Sequence, residues 1–257
     1  MLLDEPVALG AKSPLSLSSQ APTCNLYFSP MARVLNELKA AGKVTGPLSV
    51  EDCLPFDQMH YLGTDAMDEA AEVLEVRRGS KILDVGCGFG GPARYMAHKF
   101  DCEVVGMDVQ QSLIDGCSQL TNRMIDVKDK IKWIRGSATD PEAYRGLEGH
   151  FDGLYSMLTI LHIPQSDLVW PLAYNSLKLG GKTYHEDFFM KRDFTDEEKH
   201  LLEKIVSCTK AVQDLQTFLR ALATLMHDSP RVAPTGWVLF AASHTGRVHC
   251  PPGGRWL

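Results

Sequence analysis

The sequence predicts an α/β fold, a mainly parallel sheet with helices on both faces, on three observations. Strand-sized apolar runs alternate with helical patterns from Lys81 to Asp187. The first run ends in a glycine-rich turn that opens a helix. An acid, Asp108, closes the second run, 20 residues after Gly88. Alternation of this kind implies βαβ units and right-handed crossovers.

The elements follow in order. Residues 31–40 (MARVLNELKA) read as a helix, with Gly42 as its stop. Pro47 and Pro55 bracket a loop. A second helix is expected from Asp65 to Val76, because Met67, Ala70, Ala71 and Leu74 fall at i, i+3, i+4 and i+7. Strands are expected at Lys81–Val85, Glu103–Val109, Ile131–Arg135, Phe151–Met157 and Lys182–Asp187. Helices should fill Pro92–Phe100, a stretch capped by Ser112 through Val127, and Leu168–Leu179 with Pro171 near its start. Beyond the fifth strand, the capping pattern at Thr195–Glu198 opens a helix to about Cys208, and Val212–Met226 continues as helix. In the last stretch only 236–243 reads as a strand, with no evident partner. The expected division is a disordered 1–23, a helical cap or lid over 24–78, a core over 79–208, and an atypical C-terminal segment over 209–257.

Composition sets the class. With 257 residues, 44% apolar and 23% charged, the chain can bury a full core unaided. The seven cysteines are scattered and form no C-x-x-C pair, so neither a disulfide framework nor a metal site is expected. A net charge of −6 argues against nucleic acid as partner. No apolar run reaches the ~18 residues of a membrane span. A cytoplasmic location is expected, with an organellar transit peptide as the alternative; Asp4 and Glu5 suit such a peptide poorly.

Chemistry concentrates at 82–91, ILDVGCGFGG. Glycines permit positive φ and close approach of a ligand, and the following helix N-terminus offers free N–H groups. The glycines at 86, 88 and 91 also satisfy G-x-G-x-x-G, so a dinucleotide and a nucleoside cofactor both remain open at this point. Asp84 lies inside the strand before the turn. A carboxylate there suits an ammonium group and repels a pyrophosphate. A nicotinamide enzyme would also want a catalytic set such as Tyr-x-x-x-Lys, which the dinucleotide reading is expected to lack.

The stretch LDVGCGFGG resembles the first motif of class I S-adenosylmethionine (SAM)-dependent methyltransferases, and with it the whole order resembles their Rossmann-like sheet. VVGMDV resembles the strand carrying the ribose-binding acid, here Asp108. Gly136-Ser137-Ala138 falls where that family often has G-D-A; Ser137 replaces the acid. Phe151-Asp152 to Leu161-His162 resembles the fourth-strand motif, and Leu177–Gly181 the turn before strand five. Asp57–Gly63 resembles a substrate-side lid. Glu186-Asp187-Phe188 resembles the corresponding motif of the glycine-betaine branch. The nearest character is the small-molecule group, with sarcosine/dimethylglycine, phosphoethanolamine, tocopherol and sterol methyltransferases.

The resemblance implies SAM as cofactor and a small-molecule acceptor, most simply an amine. It implies a cofactor site from Asp84, Gly86, Cys87, Gly88, Gly90, Asp108, Val109, Ser137, Ala138 and Met157. His60, Tyr61, His162 and Glu186 become candidates for orienting the acceptor or taking its proton. Glu186 and Asp187 together could hold a cationic amine. Cys87 reads as a small residue beside the cofactor, or as a reactive thiol near a helix end. Two alternatives stand beside this reading: a non-catalytic or degenerate protein of the same fold, motivated by the atypical C-terminal end, and an NAD(P)-dependent oxidoreductase.

Overall fold

A computed structural model describes residues 30–187, 195–197, 200, 237–241 and 247–250. The expected N-terminal disorder and the expected helices at 195–208 and 212–226 therefore lie wholly or largely outside the described residues.

Helix α1 (Pro30–Ala40) precedes the short α2 (Leu54–Asp57) and α3 (Thr64–Val73). Then come β1 (Lys81–Val85), α4 (Gly91–Phe100), β2 (Glu103–Asp108), α5 (Gln111–Thr121), β3 (Ile131–Arg135) and β4 (Phe151–Met157). Helix α6 (Val169–Asn175), β5 (Leu177–Asp187), β6 (Trp237–Ala241) and β7 (Arg247–Cys250) follow. The sheet order is β3-β2-β1-β4-β5-β6-β7. Every neighbouring pair is parallel except β6–β7, which is antiparallel. The strand expected at 236–243 is β6, and β7 is the partner that the sequence did not reveal. At four residues, the Arg-Val-His-Cys alternation of β7 is too short to stand out from a loop.

One face of the sheet is covered by α3, α4 and α5, with Met67, Ala70, Met96 and Leu120 fully buried. On the other face α6 buries Val169, Trp170 and Tyr174. The chain runs outward in opposite directions from β1 and β4, which lie side by side, so their carboxyl ends open a crevice suited to a ligand.

Three helices end earlier than periodicity predicts. Helix α3 stops at Val73 rather than Val76 because Glu75 enters the left-handed region at φ 52. The Val76 N–H then returns to Ala71 O and the Glu75 N–H to Glu72 O, a Schellman closure without glycine. Helix α5 spans Gln111–Thr121, with Gln110 rather than Ser112 at its cap. Met124 and Val127, which extended the apolar pattern, are buried from successive turns instead. Helix α6 ends at Asn175, and Leu177 already pairs with Phe151 in β5. The next pair is Gly153 with Lys182, so Lys178–Gly181 bulges out of the ladder.

Candidate functional site

The glycine turn is fixed from below by residues far away in sequence. The N–H groups of Gly86 and Cys87 both donate to Met107 O, at 2.8 and 2.9 Å. Thr159 Oγ1 donates to Gly86 O at 3.0 Å. A Cβ on Gly86 would lie 2.0 Å from the Thr159 methyl, and φ there is +78. Gly88 differs: φ is +53, but a Cβ would meet nothing within 4 Å. Gly88 therefore borders open space, on the side where a ligand can press against the backbone.

Two carboxylates flank the turn. Asp84 pairs in register with Tyr155 of β4, and the Tyr155 hydroxyl donates to Asp84 Oδ2 at 2.9 Å. Burial pushes the Asp84 carboxyl up to about 8, against the lowering effect of that hydrogen bond. Asp108 ends β2, and its oxygens accept the N–H groups of Gly88 (3.0 Å) and Gln110 (2.9 Å). Burial raises its carboxyl as well, with the backbone donors acting the other way.

A cavity of about 1000 Å³ opens at these strand ends. Of the residues predicted for the cofactor, Asp84, Gly86, Cys87, Gly88 and Asp108 line it, as do Val109, Ser137, Ala138 and Met157. Gly90 does not. Its Cβ position lies 2.4 Å from the Trp133 ring, so this glycine makes room for the indole beneath the turn. Gly106, in register with Trp133, makes room for the same ring at 2.4 Å. Ser137 does not stand in for a free acid. Its hydroxyl lies 2.9 Å from Thr139 Oγ1 and accepts from the Thr139 N–H at 3.3 Å. Burial pushes the Cys87 thiol well up, which fits a packing residue and not a reactive thiolate.

On the acceptor side, His60 and His162 line the cavity, while Tyr61 and Glu186 do not. Tyr61 is 54% exposed. Glu186 is buried, and its Oε1 accepts the Tyr61 backbone N–H at 3.1 Å. Asp187 Oδ2 accepts the Leu161 N–H at 2.9 Å. The two carboxylates expected to grip a cation together thus diverge, each anchoring one loop. Burial lowers the His162 imidazole below its ordinary value, keeping it neutral near pH 7.

The sequence reading missed several residues that build the site. Arg94, fully buried on α4, donates from Nη2 to Asp57 Oδ2 at 3.0 Å and to Phe89 O at 2.8 Å. Asp57, also buried, lines the cavity and so ties the end of α2 to the glycine turn. An arginine amid the apolar run of α4 was the available signal, since buried arginines need a partner. Thr159 and Trp133 left none, because their roles depend on glycines in other elements. Tyr95 and Lys99 do stand at Tyr-x-x-x-Lys spacing and meet at 2.8 Å, but both bind Asp68 of α3, and neither lines the cavity.

Residues 82–181 match the family model described as "Methyltransferase domain". A phosphoethanolamine N-methyltransferase of Arabidopsis thaliana is 35% identical over 49% of this chain and 24% of its own length. A sterol 24-C-methyltransferase of Debaryomyces hansenii is 31% identical over 51% of this chain and 34% of its own. The chain thus spans about a quarter to a third of the length of these two relatives. A Haemonchus contortus phosphoethanolamine N-methyltransferase, solved with phosphomonomethylethanolamine and S-adenosylhomocysteine, superposes with TM-score 0.57 at 19% identity, over 75% of this chain and 44% of that one. A [4+2]-cyclase superposes with TM-score 0.55 at 17% identity, over 76% of this chain and 69% of that one. One fold therefore carries different chemistries, and function rests on the site.

Proposed function

We propose that this chain, which carries a SAM-dependent methyltransferase domain of the class I fold, binds SAM under the glycine turn and methylates a small-molecule amine. Asp84 carries the reading. A carboxyl pushed to about 8 by burial, at the wall of a cavity, is set to receive a cation, and the ammonium of a methionine moiety is one. A pyrophosphate would give this carboxyl no reason to ionise and no ion pair, which counts against a dinucleotide.

The surrounding residues fit the rest of the cofactor. The open backbone at Gly88 allows close approach, and Asp108, steadied by the Gly88 and Gln110 N–H groups, has lone pairs left for ribose hydroxyls. Ser137 and Ala138 would flank the adenine, with Val109 and Met157 as apolar walls. When bound, SAM supplies a methyl group already activated on a sulfonium. The chain's own task is to orient the acceptor and exclude water. His162, neutral and on the cavity wall, would take the acceptor's proton. Tyr61 and Glu186 would act through the lid.

The amine preference draws on the phosphoethanolamine N-methyltransferases among the relatives. The test is transfer of a labelled methyl group from SAM to a panel holding sarcosine, dimethylglycine, phosphoethanolamine and a sterol, with thermal unfolding in S-adenosylhomocysteine alongside. Labelled amine supports the proposal, and labelled sterol alone would replace the acceptor class. Absence of any stabilisation by S-adenosylhomocysteine would sink the cofactor assignment.

A further inference from the structure

A continuous run of polar contacts crosses the cavity mouth, and it bears on what His60 can do. Phe89 O in the glycine turn accepts from Arg94, which donates to Asp57 Oδ2. Gln58 Nε2 donates to Asp57 Oδ1 at 3.1 Å. Gln58 Oε1 lies 3.0 Å from His60 Nε2, and Tyr61 O lies 2.9 Å from His60 Nδ1. Glu186 then takes the Tyr61 N–H.

We propose that His60 is held as an imidazolium, donating from both ring nitrogens, and that it is a positioning residue for the lid and not the base. Its catalytic consequence rests on the methyl-transfer reading; its protonation does not. The carboxylate of Asp57, already paired with Arg94, can only accept, so Gln58 must present its NH₂ there and turn its oxygen to His60. That oxygen requires an N–H at His60 Nε2. The carbonyl of Tyr61 requires another at Nδ1. A neutral imidazole has one N–H and would set a lone pair against an acceptor on one side.

An independent observation points the same way. Glu186 Oε2 is buried, has no hydrogen-bond partner among the described residues, and lies 3.8 Å from His60 Nδ1. A buried carboxylate oxygen without a partner is costly, and a positive charge at that distance compensates it. The His60 side chain is itself only 1% exposed, so water does little of this work. The groups facing it are Asp57 of α2, Glu186 of β5 and, across the cavity, Asp84 and His162; the charge of Arg94 is directed to Asp57 and Phe89. With both nitrogens committed to the protein, His60 has none to offer an acceptor, and proton removal falls to His162.

The experiment is long-range ¹H–¹⁵N NMR of the imidazoles in the full, unliganded chain at neutral pH, with His60→Asn for assignment. Both ring nitrogens of His60 should carry the protonated signature. Glu186→Gln and, separately, Gln58→Leu should convert it to the neutral pattern, while S-adenosylhomocysteine affinity stays within about threefold, a change of ~0.65 kcal/mol. One bare nitrogen on wild-type His60, or a charge that survives both substitutions, overturns the proposal. Loss of S-adenosylhomocysteine binding in the wild type would instead overturn the cofactor assignment and leave the NMR result standing. Kinetically, His60→Asn should raise the acceptor KM about tenfold with a smaller loss in kcat; a base would show the reverse.

Discussion

Arg94 of α4 and Asp57 of α2 meet at 3.0 Å with both side chains fully buried. The pair ties α2 to the glycine turn, because the same Arg94 nitrogen also holds Phe89 O. Removing one partner strands a buried charge. Arg94→Met should cost about 3–5 kcal/mol of stability. The double change Asp57→Leu with Arg94→Met should cost clearly less. Denaturant midpoints of the three variants check the order, and a double mutant no better than Arg94→Met would show that the pair is not coupled.

Asp84 makes a pH prediction. Its folded carboxyl, at about 8, lies far above the ordinary carboxyl value of 3.8, so the folded state holds a proton that the unfolded state has lost. Its contribution to stability is therefore present at low pH and declines as pH rises through that window. Asp84→Asn should flatten the decline in the unliganded protein while abolishing cofactor affinity. In wild type, binding of an ammonium beside Asp84 should release a proton below about pH 8. Calorimetry in buffers of different ionisation enthalpy measures that proton.

The two glycines of the turn should fail differently. Gly86→Ala places a Cβ against Thr159 in a left-handed backbone, so unfolding temperature should drop by many degrees. Gly88→Ala meets no protein atom and should pay only the backbone strain, ~1–2 kcal/mol, yet lose S-adenosylhomocysteine affinity heavily. Equal affinity losses at matched stability would contradict the assignment of Gly88 to the ligand side.

For His162, the lowered imidazole means that the neutral form persists below the ordinary histidine range. As a base, it should hold kcat to lower pH than an ordinary histidine would, and lose it as pH falls further. His162→Asn should cut kcat about 100-fold or more with cofactor affinity kept. The kcat–pH profile of wild type and variant tests both points.

Glu75, left-handed at φ 52, closes α3 where glycine is ordinarily used. Glu75→Gly should stabilise the chain by up to about 1 kcal/mol, because relief of ~1–2 kcal/mol of left-handed strain outweighs glycine's added chain entropy and the loss of an ion pair whose Glu75 end is exposed. A urea midpoint unchanged or lowered would show that the ion pair outweighs the strain.

Local pattern carried the five core strands, four of them within one residue at each end, because alternation and apolar runs are written in consecutive residues. It also carried Asp84, Asp108 and the glycine turn, which act within or beside their own strands. Helix ends were less legible. The stop of α3 depends on a non-glycine residue accepting positive φ, and the stop of α6 on Leu177 finding Phe151 across the sheet.

What the sequence by itself determined is an α/β sheet with a glycine turn between two acids. The division of labour around that turn was decided only by the tertiary structure. Asp57 meets Arg94 across 37 positions, Thr159 meets Gly86 across 73, and Glu186 reaches the Tyr61 N–H across 125. No periodicity encodes such contacts. They arise because the strand ends of one sheet gather distant loops at a single rim, where each buried polar group must find its partner.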